Sequence, residues 1–425
     1  MTPRASWPRQ RLGRVARTVG GSGFPPEYQG SSEGDLPFAK VSDIRRKGNE
    51  FGITTAANYI SRTQARLLGA RIVPAGSVVF PKVGAALLGN ARALTLRDCL
   101  IDNNMMGVVP RAGDPRYWLY LLSVIDLAEL SPSGPLPYVS ESQIRDIRVS
   151  LPPLEEQRRI AKFLDMQCAK IDRILKVRRQ QLNLLGERET SRVFAAISGM
   201  NEQGERKFSG LGWLGVVPRE WAILSVSSQF EVLLGKMLNQ ERTRGDHLRP
   251  YLRNINVQWD QINTDDLLEM DFPPHERSRY EVQAGDLLIC EGGQPGRSAI
   301  WDGRIEEIYY QKALHRARSR GRSSVRWLFY CLRAATALDV FAVEGNTTTI
   351  GHLTGEQLRA HRFPFPDRNV QDRLVGELDA AAVAARHAQV AIKKQFELLT
   401  ERRQALITAA VTGKIDVATA GEVDV

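Results

Sequence analysis

Residues 292–296 (GGQPG) come closest to a catalytic loop in composition, since glycine-rich segments can cradle phosphate groups. Pro295 interrupts the run, whereas a phosphate-binding loop must lead directly into a helix, so a tight turn is favoured. The Walker pattern Gly-x-x-x-x-Gly-Lys-Ser/Thr is absent, and the three Pro-Pro pairs lack the flanking residues of a methyltransferase motif. We therefore expect no catalytic site and no cofactor.

The placement of cysteine and histidine argues against metal chemistry as well. The chain has four cysteines and six histidines, all scattered and none at zinc-ligand spacing, so reduced thiols and no metal site are expected. No run of eighteen or more apolar residues is present, and the N-terminus lacks the apolar segment of a signal peptide. These features predict a cytoplasmic protein.

Positive charge is concentrated in the first half of the chain. Residues 1–150 carry +7 of the net charge of +10, and residues 201–362 are neutral. Lys and Arg side chains that neutralise phosphates give sequence-independent affinity for nucleic acid. The distribution favours a polyanionic partner such as DNA.

Polar and basic side chains in turns are the candidates for reading DNA. Amide side chains can bond adenine through two hydrogen bonds, and Lys or Arg can contact guanine or phosphate. The candidates of the first half are Lys40, Ser42, Asp43, Arg45, Arg46, Lys47, Lys82, Asn103 and Asn104. Those of the second half are Arg253, Asn254, Gln294, Arg297 and Lys312. The alternating Arg316, Arg318, Arg320 and Arg322 suggest the edge of a strand. The alternative for each residue is a solvated charge or a turn amide.

The elements that must position these residues occur twice. Residues 76–84 (GSVVFPKVG) match 285–293 (GDLLICEGG), and Trp118 matches Trp327, in both cases 209 residues later. Gln157 falls opposite Gln371 at a separation of 214. A period this long indicates a duplicated domain, and the short apolar runs bounded by glycine predict buried strands.

Each half ends in a predicted long helix. Apolar residues recur at three- and four-residue spacing over 154–189, about 54 Å of helix, and again over 374–406. Two such seams in one chain favour helices that pack on each other, whereas a lone seam would equally suit a buried core helix. The polar, glycine-rich segment 199–213 is interpreted as a linker.

Four segments resemble type I restriction–modification specificity subunits. Residues 151–165 (LPPLEEQRRIAKFLD) resemble the central segment of that family, 213–221 (WLGVVPREW) the start of its second recognition domain, 406–415 (LITAAVTGKI) its C-terminal signature, and 37–44 (PFAKVSDI) an early strand. The second copy of the central segment has drifted to FPDRNVQ at 365–371, and the first copy of the C-terminal signature to VFAAISG at 193–199.

The resemblance implies an α+β fold with two duplicated target-recognition domains, separated by two long helices packed as an antiparallel coiled coil. The expected boundaries are 1–150 for the first recognition domain, 151–198 for the central helix, 199–362 for the linker and second recognition domain, and 363–425 for the C-terminal helix.

Function is also implied by this resemblance. Each recognition domain would read one half of a split target in double-stranded DNA, and the helices would dock two modification subunits, with restriction (motor-nuclease) subunits completing the complex. The chain itself would be non-catalytic. The residues assigned to partner docking are Glu155, Glu156, Arg159, Ile160, Phe163, Leu164, Leu374, Leu378, Ile392 and Leu399. The alternatives are an autonomous DNA methyltransferase or nuclease and a coiled-coil adaptor that binds no DNA.

Overall fold

The computed structural model describes residues 7–132, 134–238, 244–343 and 352–417. The start of the predicted first domain (1–6), the end of the predicted C-terminal helix segment (418–425), and 133, 239–243 and 344–351 lie outside the described residues. No helix in the described part of the chain combines the length and apolar character needed to cross a membrane.

The chain divides into two compact units. Unit 1 comprises residues 1–178 and 394–425, and unit 2 comprises residues 179–393. The divisions fall inside the two long helices, whereas the sequence placed its domain limits at the helix ends. Each long helix therefore contributes residues to both units.

Unit 1 is built from short strands, short helices and helix segments of both long helices. Its elements in chain order are β1 (Arg9–Arg11), α1 (Leu12–Val15), β2 (Ala16–Gly20), β3 (Leu36–Ala39), β4 (Asn58–Ile60), α2 (Arg62–Leu67), β5 (Val78–Pro81), α3 (Ala85–Leu88), β6 (Ala93–Leu94), β7 (Leu100–Ile101), β8 (Met105–Pro110), α4 (Pro115–Ser123), α5 (Glu141–Asp146), β9 (Arg148–Ser150) and the first part of α6 (Leu154–Ile197).

Unit 2 repeats this series with additions. Its elements are β10 (Arg206–Phe208), β11 (Val216–Pro218), β12 (Ala222–Ser225), α7 (Val226–Gln229), β13 (Phe230–Leu234), β14 (Leu248–Leu252), β15 (Val257–Gln258), β16 (Gln261–Ile262), β17 (Leu268–Asp271), α8 (Pro274–Tyr280), β18 (Leu287–Cys290), β19 (Ser298–Ile300), β20 (Tyr309–Tyr310), β21 (Leu314–Ser319), α9 (Val325–Ala337), α10 (Val340–Val343), α11 (Gly355–Ala360), β22 (Arg362–Phe365) and the first part of α12 (Arg368–Val411).

The sheets of the two units have the same strand orders. Unit 1 has a four-stranded antiparallel sheet β2-β8-β5-β6, a three-stranded sheet β4-β3-β7 and the pair β1-β9. Unit 2 has β13-β21-β18-β19, β17-β14-β20 and β12-β22 in the corresponding places. In both three-stranded sheets the last pair is parallel. The predicted duplicated α+β architecture is confirmed.

The two long helices pack antiparallel within each unit. Both are 44 residues long, about 66 Å. In unit 1, Arg403 of α12 pairs with Asp172 of α6, while Val411 shares a core with Leu164. In unit 2, Arg373 near the start of α12 bonds Glu202, just beyond the end of α6. The helix α6 continues beyond the apolar seam of 154–189 because Val193 and Ile197 extend its buried face.

The buried glutamines Gln157 and Gln371 hold equivalent positions, as their separation of 214 predicts. Gln157 accepts a hydrogen bond from Asp114 N (3.0 Å) and donates one to Pro152 O (2.9 Å). Gln371 accepts from Ser324 N (2.9 Å) and donates to Pro366 O (2.7 Å). Each glutamine thereby joins the residue that caps α4 or α9 to the start of a long helix.

The alignment of Trp118 with Trp327 is wrong by one residue. The residue that packs as Trp327 does is Tyr117, since Trp327 Nε1 donates to Pro364 O and Tyr117 OH donates to Ser150 O. The helices α4 and α9 therefore correspond at a separation of 210, and one residue is inserted between β21 and α9 relative to unit 1. The adjacent aromatic residues Tyr117 and Trp118 in α4 concealed the shift from the sequence.

Part of the predicted linker 199–213 is ordered structure of unit 2. Its strand β10 pairs with β11, and Gly199 ends α6 with a φ of 60°. A Cβ at Gly199 would lie 2.9 Å from the ring of Trp221. Gly413 has a φ of 73°, and a Cβ there would lie 3.2 Å from the ring of Trp7. Both long helices therefore end on a glycine covered by a tryptophan.

The prediction that alternating arginines form a strand edge is also wrong. Arg316 and Arg318 lie on β21, which is paired on both sides by β13 and β18. Arg316 is buried and bonds Glu231, while Arg318 donates two 2.7 Å hydrogen bonds to Asp286. The alternating arginines of this strand thus form ion pairs inside unit 2.

Candidate nucleic-acid interface

Three loops at the strand ends of unit 1 lie side by side. The first loop follows β3, the second follows β5, and the third joins β7 to β8. The aligning backbone hydrogen bonds are Asp102 N to Ala39 O (3.0 Å), Lys82 N to Asn104 O (2.8 Å) and Val139 N to Lys82 O (2.9 Å). The structure thus brings Lys40, Lys82, Asn103 and Asn104 to one surface, although up to 64 residues separate them in the chain.

The same three bonds recur in unit 2. They are Gln311 N to Leu252 O (3.1 Å), Glu291 N to Ala313 O (2.9 Å) and Leu353 N to Glu291 O (2.7 Å). These bonds place Arg253 and Asn254 beside Lys312 and the loop that carries Gln294. We call the two sets of aligned loops, 40–56, 82–84 and 102–104 in unit 1 and 253–263, 291–297 and 311–313 in unit 2, the reading loops.

Asp43 shapes the first reading loop of unit 1 from within. Its side chain is buried and accepts hydrogen bonds from Lys40 N (2.9 Å) and Ala57 N (3.0 Å). Asn256 does the same in unit 2, where it accepts from Arg253 N (2.9 Å). The carboxylate of Asp43 is therefore committed to its own loop.

The other candidates of this loop are accessible. Ser42, Arg45, Arg46 and Lys47 are exposed, as are Asn103 and Asn104 of the neighbouring loop. Lys40 and Lys82 are half-buried, with Lys40 Nζ donating to Gln29 Oε1 (3.0 Å) and lying 5.1 Å from the ring centre of Phe24. Basic and amide groups thus share one face.

Asn254 and Arg297 bind each other in unit 2. Arg297 donates to Asn254 Oδ1 (2.6 Å), and Asn254 Nδ2 donates to Gly292 O (3.0 Å), which clamps two reading loops together. Arg253 is likewise engaged, by Asp266 (2.7 Å). Of the candidates in unit 2, Gln294 and Lys312 are exposed.

Lys236 contributes to this site but was missed from the sequence. Its side chain is 3% exposed, its ammonium group donates to Asp271 O (2.6 Å) and pairs with Glu276, and its carbonyl accepts the N–H of Lys312 (2.7 Å). A lysine at the end of an apolar strand gives no sequence signal of such burial, because its partners lie 35 and 40 residues away. It anchors the loop that presents Lys312.

A comparison with known families finds a match in the first part of the chain. Residues 7–184 match the family model described as type I restriction modification DNA specificity domain. This part of the chain is similar to type I DNA specificity domains. Unit 2 repeats the strand orders of unit 1 and its aligned reading loops.

Solved structures share the fold of this chain. A chain described under "Structural basis underlying complex assembly and conformational transition of the type I R-M system" has a TM-score of 0.74 at 16% identity, covering 98% of this chain and 100% of that one. The HsdS subunit from Thermoanaerobacter tengcongensis has a TM-score of 0.54 at 18% identity, covering 98% and 99%. At these identities the likeness shows the fold.

The residues predicted for partner docking divide by burial. Ile160, Phe163 and Leu164 lie in the core of unit 1, and Leu374 and Leu378 in the core of unit 2. Glu155 and Arg159 are exposed, Glu156 is buried and pairs with Arg159 (2.5 Å), and Ile392 and Leu399 are half-buried. The buried apolar members of the set support the units, which leaves the charged turn at the start of α6 accessible.

Proposed function

We propose that this chain is the DNA-reading subunit of a type I restriction–modification complex, with unit 1 and unit 2 each reading one half of a split target in double-stranded DNA. The carrying observation is the repeated set of three backbone hydrogen bonds that aligns the reading loops in both units. A surface built twice in one chain suits two half-sites, because each copy can meet its own stretch of duplex.

The exposed groups match the two tasks of DNA recognition. Phosphate contacts set the register of a protein on the duplex, and contacts to base edges carry the sequence information. In our proposal Arg45, Lys47, Lys82 and Lys312 contact phosphates, and Asn103, Asn104 and Gln294 contact bases, where amides pair with adenine. Asp43, Asn254 and Arg297 position these loops through the internal bonds described above.

Catalysis and DNA translocation would belong to partner subunits. The chain would dock two modification subunits, one for each repeat, and restriction subunits would join that assembly. The duplicated helix starts, at Leu154 and Arg368, supply two similar docking faces. The charged turn at Glu155 and Arg159 is the accessible part of the first face.

Methylome sequencing of a host that expresses the chain with its modification subunit tests this proposal. We expect methylation at one bipartite sequence, and replacing residues 1–150 with those of another specificity subunit should change one half of it. Methyl transfer by the isolated chain, a continuous target, or a swap that alters both halves would contradict the proposal. In a mobility-shift assay, binding of the chain to double-stranded DNA should weaken as the salt concentration rises. The adaptor alternative predicts no DNA binding in this assay.

A further inference from the structure

Arg326 on α9 lies at the centre of a charged cluster in unit 2. It donates to Asp379 Oδ1 of α12 (2.8 Å) through Nε and to both carboxylate oxygens of Asp260 through its terminal nitrogens. Tyr330 OH donates to the same Asp379 oxygen (2.5 Å), and Arg386 donates to Asp260 (3.0 Å). Two acids and two arginines thus join α9, α12 and the segment that carries Asp260.

Burial makes this cluster stronger than an ordinary surface ion pair. The side chains of Arg326 and Asp260 are 18% and 19% exposed, and the guanidinium lies 4.4 Å from the ring centre of Phe329. Burial by itself would raise the pKa of Asp260, but the bonds from Arg326 and Arg386 hold it below the ordinary value. The Asp260 carboxylate is therefore charged at neutral pH, and salt screens its partly buried ion pairs less than it screens surface pairs.

Asp260 belongs to the turn of a reading-loop hairpin. The strands β15 and β16 pair through Val257 with Ile262 and Gln258 with Gln261, which leaves Trp259 and Asp260 as a two-residue turn. Asp260 has a φ of 58°, a conformation that Asp and Asn tolerate better than other side chains. Trp259 adds an edge-to-face contact with Phe329 (5.9 Å). The turn is thus docked on α9.

The open end of this hairpin carries the reading loop itself. Asn263 N donates to Asn256 O (2.8 Å), which closes the hairpin four residues from Asp260. Asn254 and the exposed Ile255 directly precede Asn256 at that end of the hairpin. A hairpin fixed at its turn transmits its orientation to the loop at its other end, because paired strands resist bending.

The equivalent contact in unit 1 is much weaker. Arg116 and Tyr120 bind Asp165 as Arg326 and Tyr330 bind Asp379. Towards the reading loop, however, Arg116 makes one long bond to the carbonyl of Phe51 (3.4 Å), whose side chain is 75% exposed. The link from helix to reading loop is therefore ionic in unit 2 and a single backbone contact in unit 1.

We propose that Arg326 is a positioning residue for DNA reading by unit 2, acting through Asp260 to fix the β15–β16 hairpin before DNA binds. The inference rests on the proposed function. It predicts that base discrimination in the half-site of unit 2 depends on the Asp260 charge and that discrimination in the half-site of unit 1 does not.

The substitution Asp260→Asn removes the charge while keeping the volume of the side chain and its tolerance of positive φ. It is tested in the full chain assembled with modification subunits, on duplexes that carry single base changes in either half. The half-site that stays the same when residues 1–150 are exchanged is the half-site read by unit 2. There, discrimination between correct and altered bases should fall roughly tenfold, with the other half unchanged.

Two further variants separate positioning from general stability. Asp260→Glu retains the carboxylate and should retain most of the discrimination. Asp302→Asn breaks an exposed ion pair with Arg304 in the same unit and should change neither half. If the wild-type complex reads a bipartite target and Asp260→Asn keeps full discrimination, or loses it equally in both halves, the inference is overturned. Absence of a bipartite target in the wild type would instead contradict the proposed function.

Discussion

His315 shows how one residue distinguishes otherwise equivalent strands. It pairs with Ile289 and Leu234 in β21, where Met106 pairs with Phe80 and Gly20 in β8. The imidazole is fully buried, its Nε2 lies 2.8 Å from Leu353 O, and its Nδ1 has no hydrogen-bond partner among the described residues. Because Leu353 O is an acceptor, Nε2 carries a proton.

This burial predicts a pH-dependent stability of unit 2. Burial lowers the pKa of His315, opposed in part by the bond to Leu353 and by Glu291, and assisted by Arg359. A depressed histidine pKa stabilises the fold above the unfolded value of about 6.5, and this contribution is lost as pH falls through the folded value. His315→Met should therefore flatten the loss of unfolding free energy between about pH 7.5 and about pH 5.5.

Urea unfolding at the two pH values measures this difference. Met106→Leu in unit 1 is the matched control, since it changes an equivalent strand position without a titrating group and should leave the pH dependence as in the wild type. Parallel pH profiles for wild type and His315→Met would show that His315 does not titrate across this range.

Lys82 and Lys312 lead to a second prediction at the residue scale. If each contacts a phosphate, Lys82→Gln and Lys312→Gln should each weaken DNA binding for every sequence and reduce the slope of log affinity against log salt by about one. Lys207→Gln, on the exposed strand β10, is the control and should leave the slope unchanged. DNA-binding titrations at several salt concentrations measure this slope. A loss of affinity confined to one DNA sequence would instead indicate that the lysine contacts a base.

At the scale of elements, the paired glutamines join each short aromatic helix to a long helix. Gln157 and Gln371 are buried, and each satisfies one backbone N–H and one carbonyl. An unpaired buried polar group costs about 1–3 kcal/mol. Gln371→Met should thus lower the unfolding free energy of unit 2 by about that amount, and Gln157→Met that of unit 1.

Hydrogen exchange followed by mass spectrometry locates the effect. The amides of α9 should exchange faster in Gln371→Met, and those of α4 in Gln157→Met, because the capping N–H of each helix loses its acceptor. Gln395→Met, at an exposed position of α12, should change neither helix. Equal exchange in wild type and variants would refute the clamping role.

At the scale of the whole molecule, α6 and α12 each contribute residues to both units. We further propose that they set the length of the spacer in the split target. Inserting seven residues in each helix, after Arg178 and after Lys393, should lengthen it by about 10.5 Å while nearly preserving the helix face. At about 3.4 Å per base pair, the spacer should grow by roughly three base pairs.

A methylation map of the insertion variant measures the spacer. Seven residues inserted after Gly204, in a loop of unit 2 with a φ of 111° at that glycine, provide the control, and the spacer should stay as in the wild type. An unchanged spacer in the variant with insertions in both α6 and α12 would indicate that the partner subunits set the spacer length.

The sequence by itself determined the elements and their duplication. The strands β5 and β18 were predicted because their apolar runs are bounded by glycine, and the start of α6 because two prolines precede a seam of apolar residues. The equivalence of Gln157 and Gln371 also followed from spacing alone. Such features are readable because propensity and periodicity act between residues close in the chain.

Only the tertiary structure decided which loops meet and which charged groups remain free. Asp43 bonds within its own loop, Asn254 and Arg297 bond to each other across two loops, and Lys236 is buried by distant partners. The link from Arg326 to Asp260 spans 66 residues of chain. Contacts of this kind depend on how strands and helices pack, and local sequence patterns carry no information about partners at such separations.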